Sequence, residues 1–393
     1  MDIILCELGV LMELQIKDVL EQMGYTIHAF TYDTDNYDCD QGFFQAFLQV
    51  IKEKKYEFVF SVYFLPLVSK VCQIYDTVYI SWVYDFPALH LYAKAIQNPV
   101  NRIFVFDQIQ YERFHAFSPS TIFYMPLATN PMTEEQMLTI SLEEKERYNH
   151  DVCFVGSMYN EKNMKFYQLF QLPEYWKGYV QGIAEAQLNV YGYNFIADSL
   201  TEDAVLELKK LLGYVLLDDY RVNDRELIAD MYIGQLCIYL ERERTLRALS
   251  EKYDVAMYTK SNIEHLPNIT NKGLAEPIHM APQIYHCSKI NLHMTPKTIQ
   301  SGISLRVFDV LGSKGFLIAN YQKEICDYFE PGVDLVVYDS LPDLERKVAY
   351  YLEHEDERRQ IAENGYRKVC ESFTYDIAIR EILDISGCKT LKT

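Results

Sequence analysis

Ser301-Gly302-Ile303-Ser304-Leu305-Arg306-Val307-Phe308-Asp309-Val310-Leu311-Gly312-Ser313-Lys314-Gly315-Phe316-Leu317-Ile318 changes character twice along its length. It opens on small residues, passes through a short run with one apolar face, and ends in a continuous apolar run. It therefore reads as a loop, a short helix and a buried strand. Ser301 and Gly302 allow another group to approach the backbone closely. The turn that follows, Ile303-Ser304-Leu305, would aim free N–H groups at an anion. Arg306, one turn into the helix, reaches such an anion as a fork of charged donors. Asp309 projects from the same face three residues later, where a carboxylate accepts hydrogen bonds from hydroxyls. Residue types alone leave a second reading open, a helix cap beside an exposed Arg306–Asp309 ion pair.

Outward from this stretch the chain alternates apolar runs with amphipathic segments, the pattern of βαβ units and a parallel sheet. In the first half, strands are predicted at 2–6, 26–32, 57–62, 77–83, 102–106 and 121–125. Between the first two, Leu11, Leu14, Val19, Leu20 and Met23 recur at helical spacing, and Gly24 stands where a terminating glycine belongs. Residues 129–149 carry Pro131 and a charged run and read as an exposed linker. A new buried strand begins at Asp151 and ends at Gly156-Ser157. Residues 161–249 read as a helical insertion, after which strands are predicted at 255–258, 316–319 and 335–338. The expected organisation is an α/β chain of two doubly wound halves, 1–147 and 148–372. The second half holds a helical insertion at about 160–250, and a C-terminal helical segment, 373–393, packs back on the first half. Ligands of such halves lie at the carboxyl ends of the strands.

Composition narrows the classes. The 393 residues are 49% hydrophobic and 14% aromatic, with 32 tyrosines, which predicts large buried cores. The net charge of −19, from 56 acidic against 37 basic side chains, disfavours nucleic acid and anionic lipid as partners. Nine cysteines without a Cys-x-x-Cys pair suit a reduced, cytoplasmic setting and small buried side chains. No basic-then-apolar leader opens the chain. The most apolar segment, Phe58 to Val68, is too short for a membrane span and reads as a strand entering a helix. His279, His286 and His293 have no metal-ligand spacing, so no metal is expected.

Other candidates follow from their places at predicted strand ends. Gly156 and Ser157 offer backbone donors, or are simply a turn. Lys260 follows the 255–258 strand, and Lys289 is a further candidate anion contact; either is equally a solvated surface lysine. In the first half Asp85 follows a buried run and precedes Pro87, with His90 one turn on and Glu7 after the first strand. Each is a candidate base toward a hydroxyl, while Asp85 as a helix N-cap is the competing reading. Trp82 and Tyr84 are core residues or a stacking surface for a sugar.

The 301–318 stretch, with Tyr285, Ser288-Lys289-Ile290-Asn291-Leu292, Glu330-Pro331-Gly332 and Tyr366 to Thr374, resembles the C-terminal region of the CgeB-like family. Ser81-Trp82-Val83-Tyr84-Asp85-Phe86-Pro87, Arg102 to Asp107 and Tyr124 to Ala128 resemble the uncharacterised domain fused to it. The resemblance implies a GT-B glycosyltransferase that binds a nucleoside-diphosphate sugar on its second half. Arg306 would lie at the diphosphate and Asp309 at the ribose, with a glycan or protein acceptor on the first half. The donor is a substrate, and no cofactor is implied. Two departures stand out: Asp309 where relatives carry Glu, and Ser313-Lys314 where smaller residues are expected. A nicotinamide oxidoreductase is disfavoured because Glu7-Leu8-Gly9-Val10-Leu11 replaces the Gly-x-Gly-x-x-Gly turn. A non-catalytic sugar-binding or assembly protein remains the alternative.

Overall fold

The computed structural model describes residues 1–34, 37, 39–215 and 220–388. The side chain of Leu11 and the last residues of the expected C-terminal segment, 389–393, lie outside the described residues. The chain divides into two compact units. Unit 1 takes the described residues of Met1–Asn130, Leu216–Val222 and Phe373–Thr393; unit 2 takes those of Pro131–Val215 and Asn223–Ser372.

Unit 1 is built on six strands: β1 (Asp2–Glu7), β2 (Thr26–Thr31), β3 (Phe58–Ser61), β4 (Val78–Val83), β5 (Asn101–Val105) and β6 (Ile122–Tyr124). All pair in parallel, in the order β2-β1-β3-β4-β5-β6. Ile3, Ile4, Leu5, Val59, Phe60, Ile80 and Ile103 are fully buried, as expected of a parallel sheet covered on both faces. The predicted run from 58 to 68 divides into β3 and the helix Pro66–Tyr75, whose proline sits in the first turn, where no N–H is needed. Gly24, at φ 95°, ends the helix Leu11–Gln22 as predicted. The helix Tyr375–Ile385 belongs to unit 1, and Tyr375 buries itself edge-on against Trp82.

Unit 2 repeats the plan with β7 (Val152–Val155), β8 (Val255–Tyr258), β9 (Thr270–Asn271), β10 (Ile290–His293), β11 (Leu317–Asn320) and β12 (Val336–Tyr338). Their order is β12-β11-β10-β7-β8-β9. Between β7 and β8 lies the helical insertion, with a core of its own around Phe166, Val180, Ile196, Leu208, Ile228 and Tyr232. It ends in a π-helical turn, Ala229–Ile233, that runs into the helix Gly234–Ser250. A Cβ on Gly234 would lie 2.7 Å from the Thr298 methyl carbon and 3.0 Å from the Ala229 carbonyl oxygen, so glycine alone lets the insertion press on the loop after β10.

Residues 129–149 are not the plain exposed linker expected. Thr133/Gln136 and Ser141/Glu144 form capping boxes that open the helices Glu134–Thr139 and Leu142–Tyr148. Met132, Met137 and Ile140 are buried against Tyr366. Cys39 and Cys326 are exposed, unlike the small buried side chains expected of the cysteines. Among the described residues, no helix is long and apolar enough to cross a membrane.

Candidate functional site

In each unit the strand order reverses direction at one point, between β1 and β3 in unit 1 and between β7 and β10 in unit 2. Such a switch point parts the loops at the carboxyl ends of the strands and leaves a crevice for ligands.

In unit 2 the crevice is flanked by Gly156-Ser157 after β7 and by the loop from Met294 to Ser304 after β10. The helix Leu305–Gly312 begins later than the sequence reading places it, so that Arg306 is its second residue and not one turn in. Ser304 holds the N-cap position with extended backbone, yet its hydroxyl caps nothing. It is engaged instead by His293, the last residue of β10, with Nε2 to Oγ at 2.5 Å. The amides of Leu305 and Arg306 have no hydrogen-bond partner among the described residues. Arg306 bonds the Tyr285 hydroxyl, stacks its guanidinium 5.4 Å from the Tyr285 ring centroid, and lies 3.3 Å from Asp309 Oδ2. Burial works against its charge, but Tyr285 and Asp309 outweigh that and raise its pKa. Its side chain is 33% exposed, so the pair with Asp309 leaves the guanidinium accessible to a ligand.

Sequence reasoning missed Arg242, because an arginine inside a Glu- and Arg-rich helix looks like a solvated face. It is buried, with one Nη bonded to the Ser157 carbonyl and the other donating to the Met294 carbonyl at 3.2 Å. It thus ties the loop after β7 to the loop after β10. Its Nε is buried without a partner, and burial lowers its pKa, with the charge of Arg306 adding to that effect. The Gly156-Ser157 turn is fixed further by Ser261, whose hydroxyl accepts from the Met158 amide at 2.8 Å.

One expected neighbour is not brought to this point. Lys289 precedes β10 and so lies at the amino ends of the strands, paired with Asp151 at 2.7 Å. Lys260 is exposed beyond β8. Ser301 is buried, donating to Glu324 at 2.6 Å, and Ile303 is a core side chain. Gly302 is buried beside them, so these three shape the loop. Lys314 adopts the left-handed φ of 55° that favours a small residue, and its ammonium bonds Glu363 at 2.7 Å. Gly315 is required: a Cβ there would stand 2.6 Å from the Tyr285 carbonyl oxygen.

In unit 1, Glu7 ends β1 and is 3.4 Å from Lys17. Asp85 is exposed two residues beyond β4, with Oδ1 accepting from the Phe86 amide at 2.9 Å. No helix starts at Pro87. The local helix is a 3-10 turn, Leu89–Tyr92, with Ala88 at its N-cap, so Asp85 is not the helix cap that competed with its catalytic reading. His90 lies in that turn, half-buried. Trp82 is fully buried and therefore core, whereas Tyr84 is half-buried. The Tyr84 hydroxyl accepts from Tyr63 at 2.9 Å, forming an aromatic pair at the carboxyl ends of β3 and β4 that the sequence did not reveal. Glu13 is buried and accepts from the amides of Leu8, Gly9 and Val10 at 2.7, 2.9 and 3.0 Å. Burial raises its pKa even against those three donors.

The family model for glycosyl transferase-like proteins matches residues 242–384, from Arg242 through Arg306 and Asp309. Among solved structures, a glycosyltransferase from Rickettsia africae superimposes with a TM-score of 0.54 at 12% identity, covering 98% of this chain and 97% of that one. The fold is GT-B. HepE of Anabaena, solved with UDP-glucose, gives 0.52 at 12% identity over 98% and 99%. Sucrose-phosphate synthase of Thermosynechococcus elongatus gives 0.52 at 12% over 97% and 97%. No curated protein matches the chain by sequence. The chain thus carries a glycosyl transferase-like segment within a GT-B architecture; β10 and the helix Leu305–Gly312 lie inside the matched residues, and β7, the other side of the unit 2 switch point, lies before them.

Proposed function

We propose that the chain transfers a sugar from a nucleoside-diphosphate sugar to a hydroxyl of a glycan or protein acceptor, without a divalent metal. The observation that carries this reading is the uncapped helix end at Leu305 and Arg306, with the Arg306 side chain beside it, at the switch point of unit 2 and within the residues that match the glycosyl transferase-like model. As the glycosidic bond to the diphosphate breaks, negative charge grows on the leaving oxygen. Amides and a guanidinium already aimed at it stabilise that charge without rearranging. Asp309 accepts from the ribose hydroxyls. The acceptor side is assigned to unit 1, with Asp85 taking the hydroxyl proton and His90 and Glu7 next in order. The UDP-glucose bound by HepE supports a nucleotide-sugar donor. The CgeB-like assignment and a cytoplasmic setting belong to the same proposal.

Calorimetry with UDP and other nucleoside diphosphates, with and without chelator, tests the donor site. Binding that survives chelation is expected, and binding abolished by chelator overturns metal independence. Donor hydrolysis or transfer measured on the same protein separates the enzyme from a non-catalytic binding protein, which would bind but release no sugar.

A further inference from the structure

The Ser304 hydroxyl stands at a position where serine ordinarily caps a helix. A side-chain oxygen at the N-cap accepts from the N–H of the second or third helical residue. Here the backbone conformation is right, φ −69° and ψ 152°, and the cap is nonetheless unmade. The hydroxyl is held 2.5 Å from His293 Nε2, with His293 7% and Ser304 9% exposed. The histidine is fixed as the last residue of the central strand β10, so it cannot follow the hydroxyl toward the helix. A second observation at the same place points to an anionic ligand. Arg242 is buried with its Nε unpartnered, and its charge and that of Arg306 both act on His293. Buried cationic groups without a full set of partners are costly unless a ligand completes them.

We propose that His293 is a positioning residue that holds Ser304 off the helix end, keeping the Arg306 amide open for the donor phosphates; this rests on the donor reading of unit 2. Two groups compete for the Arg306 amide, the serine hydroxyl and the phosphate oxygen, and His293 removes the internal competitor. His293 needs no contact with the donor to do this.

The test is UDP affinity by calorimetry. His293→Ala frees the hydroxyl to cap, and affinity is expected to fall about five-fold, the factor that corresponds to one capping interaction. His293→Ala/Ser304→Ala removes the competitor as well and is expected to bind more tightly than His293→Ala. A merely structural histidine predicts the opposite order, since the double variant has lost more packing. If His293→Ala does not fold, the same pair is made with His293→Leu, which keeps the volume, while His293→Gln, whose amide still reaches the hydroxyl, should stay near wild type. Wild-type affinity in the single variant, or a double variant as weak as the single, overturns the inference. Failure of the wild-type protein to bind UDP or any other nucleoside diphosphate overturns the donor reading instead.

Discussion

Lys297 and Glu241 form an ion pair 3.3 Å apart in which 6% and 5% of the side chains remain exposed. Lys297 lies on the loop after β10, its ammonium 3.4 Å from the Tyr191 ring centroid, and Glu241 lies on the helix Gly234–Ser250. The pair therefore fastens the loop after β10 to the helix that leads out of the insertion. Arg242, the next residue along, fastens the same loop to the end of β7.

Breaking a buried pair from one side leaves an uncompensated charge. Lys297→Met is expected to cost about 3 to 5 kcal/mol, and Lys297→Met combined with Glu241→Gln markedly less. Urea unfolding of the two variants checks this. Equal losses in both would show that the pair contributes packing only.

Arg306→Ala should weaken nucleoside-diphosphate binding by about 1.5 kcal/mol, the lower end of a charge-assisted bond, because water already reaches part of the side chain. The fold should survive, since among the described residues the guanidinium has no carboxylate partner besides the partly exposed Asp309. Unchanged affinity in a folded protein would return Arg306 to a surface-pair role.

Asp85→Asn should lower glycosyl transfer by about 10²- to 10⁴-fold, the range for a general base, while nucleotide affinity stays near wild type. Turnover and affinity measured on one preparation decide it. Near-normal turnover would remove Asp85 and bring His90 and Glu7 forward.

Acid should destabilise unit 2 before its carboxylates titrate. Burial is the leading cause of a lowered pKa in His150, His286 and His293 alike. With folded values below the ordinary 6.5, the unfolded chain binds more protons as pH drops. Their contribution is thus complete above that value and is lost as pH falls through it toward the folded pKa values. Each ring still neutral when folded costs up to about 1.4 kcal/mol per pH unit. Urea midpoints measured at about pH 7, 6 and 5 should decline, and a flat series would contradict the burial of these rings.

The parallel strands were legible because Ile3-Ile4-Leu5 and Val78 to Val83 are apolar without alternation, and the Arg306 helix because its small-residue loop and apolar face adjoin. β10 was not predicted: Asn291 and His293 interrupt its apolar pattern, and each is buried with a hydrogen-bond partner outside the strand, the Tyr285 carbonyl and the Ser304 hydroxyl. Residues 129–149 were misread although Thr133-x-x-Gln136 and Ser141-x-x-Glu144 announce two helix starts, since the charged run outweighed them. Lys289 was placed with the anion contacts from its neighbourhood in sequence, but a residue before a parallel strand lies at the opposite end from one after it. Arg242 and the Tyr63–Tyr84 pair depend on which strands are adjacent, information that a linear pattern does not contain.

The Glu13 carboxylate, folded into the amides of Leu8, Gly9 and Val10, is a resident anion. Two halves built on one plan would otherwise present equivalent seats for a phosphate, and a nucleotide would partition between them. With that seat taken by the chain itself, the proposed nucleotide site has no rival at the Leu8, Gly9 and Val10 amides. On the proposed donor reading, a single side chain thereby sets the two halves of a repeated architecture apart.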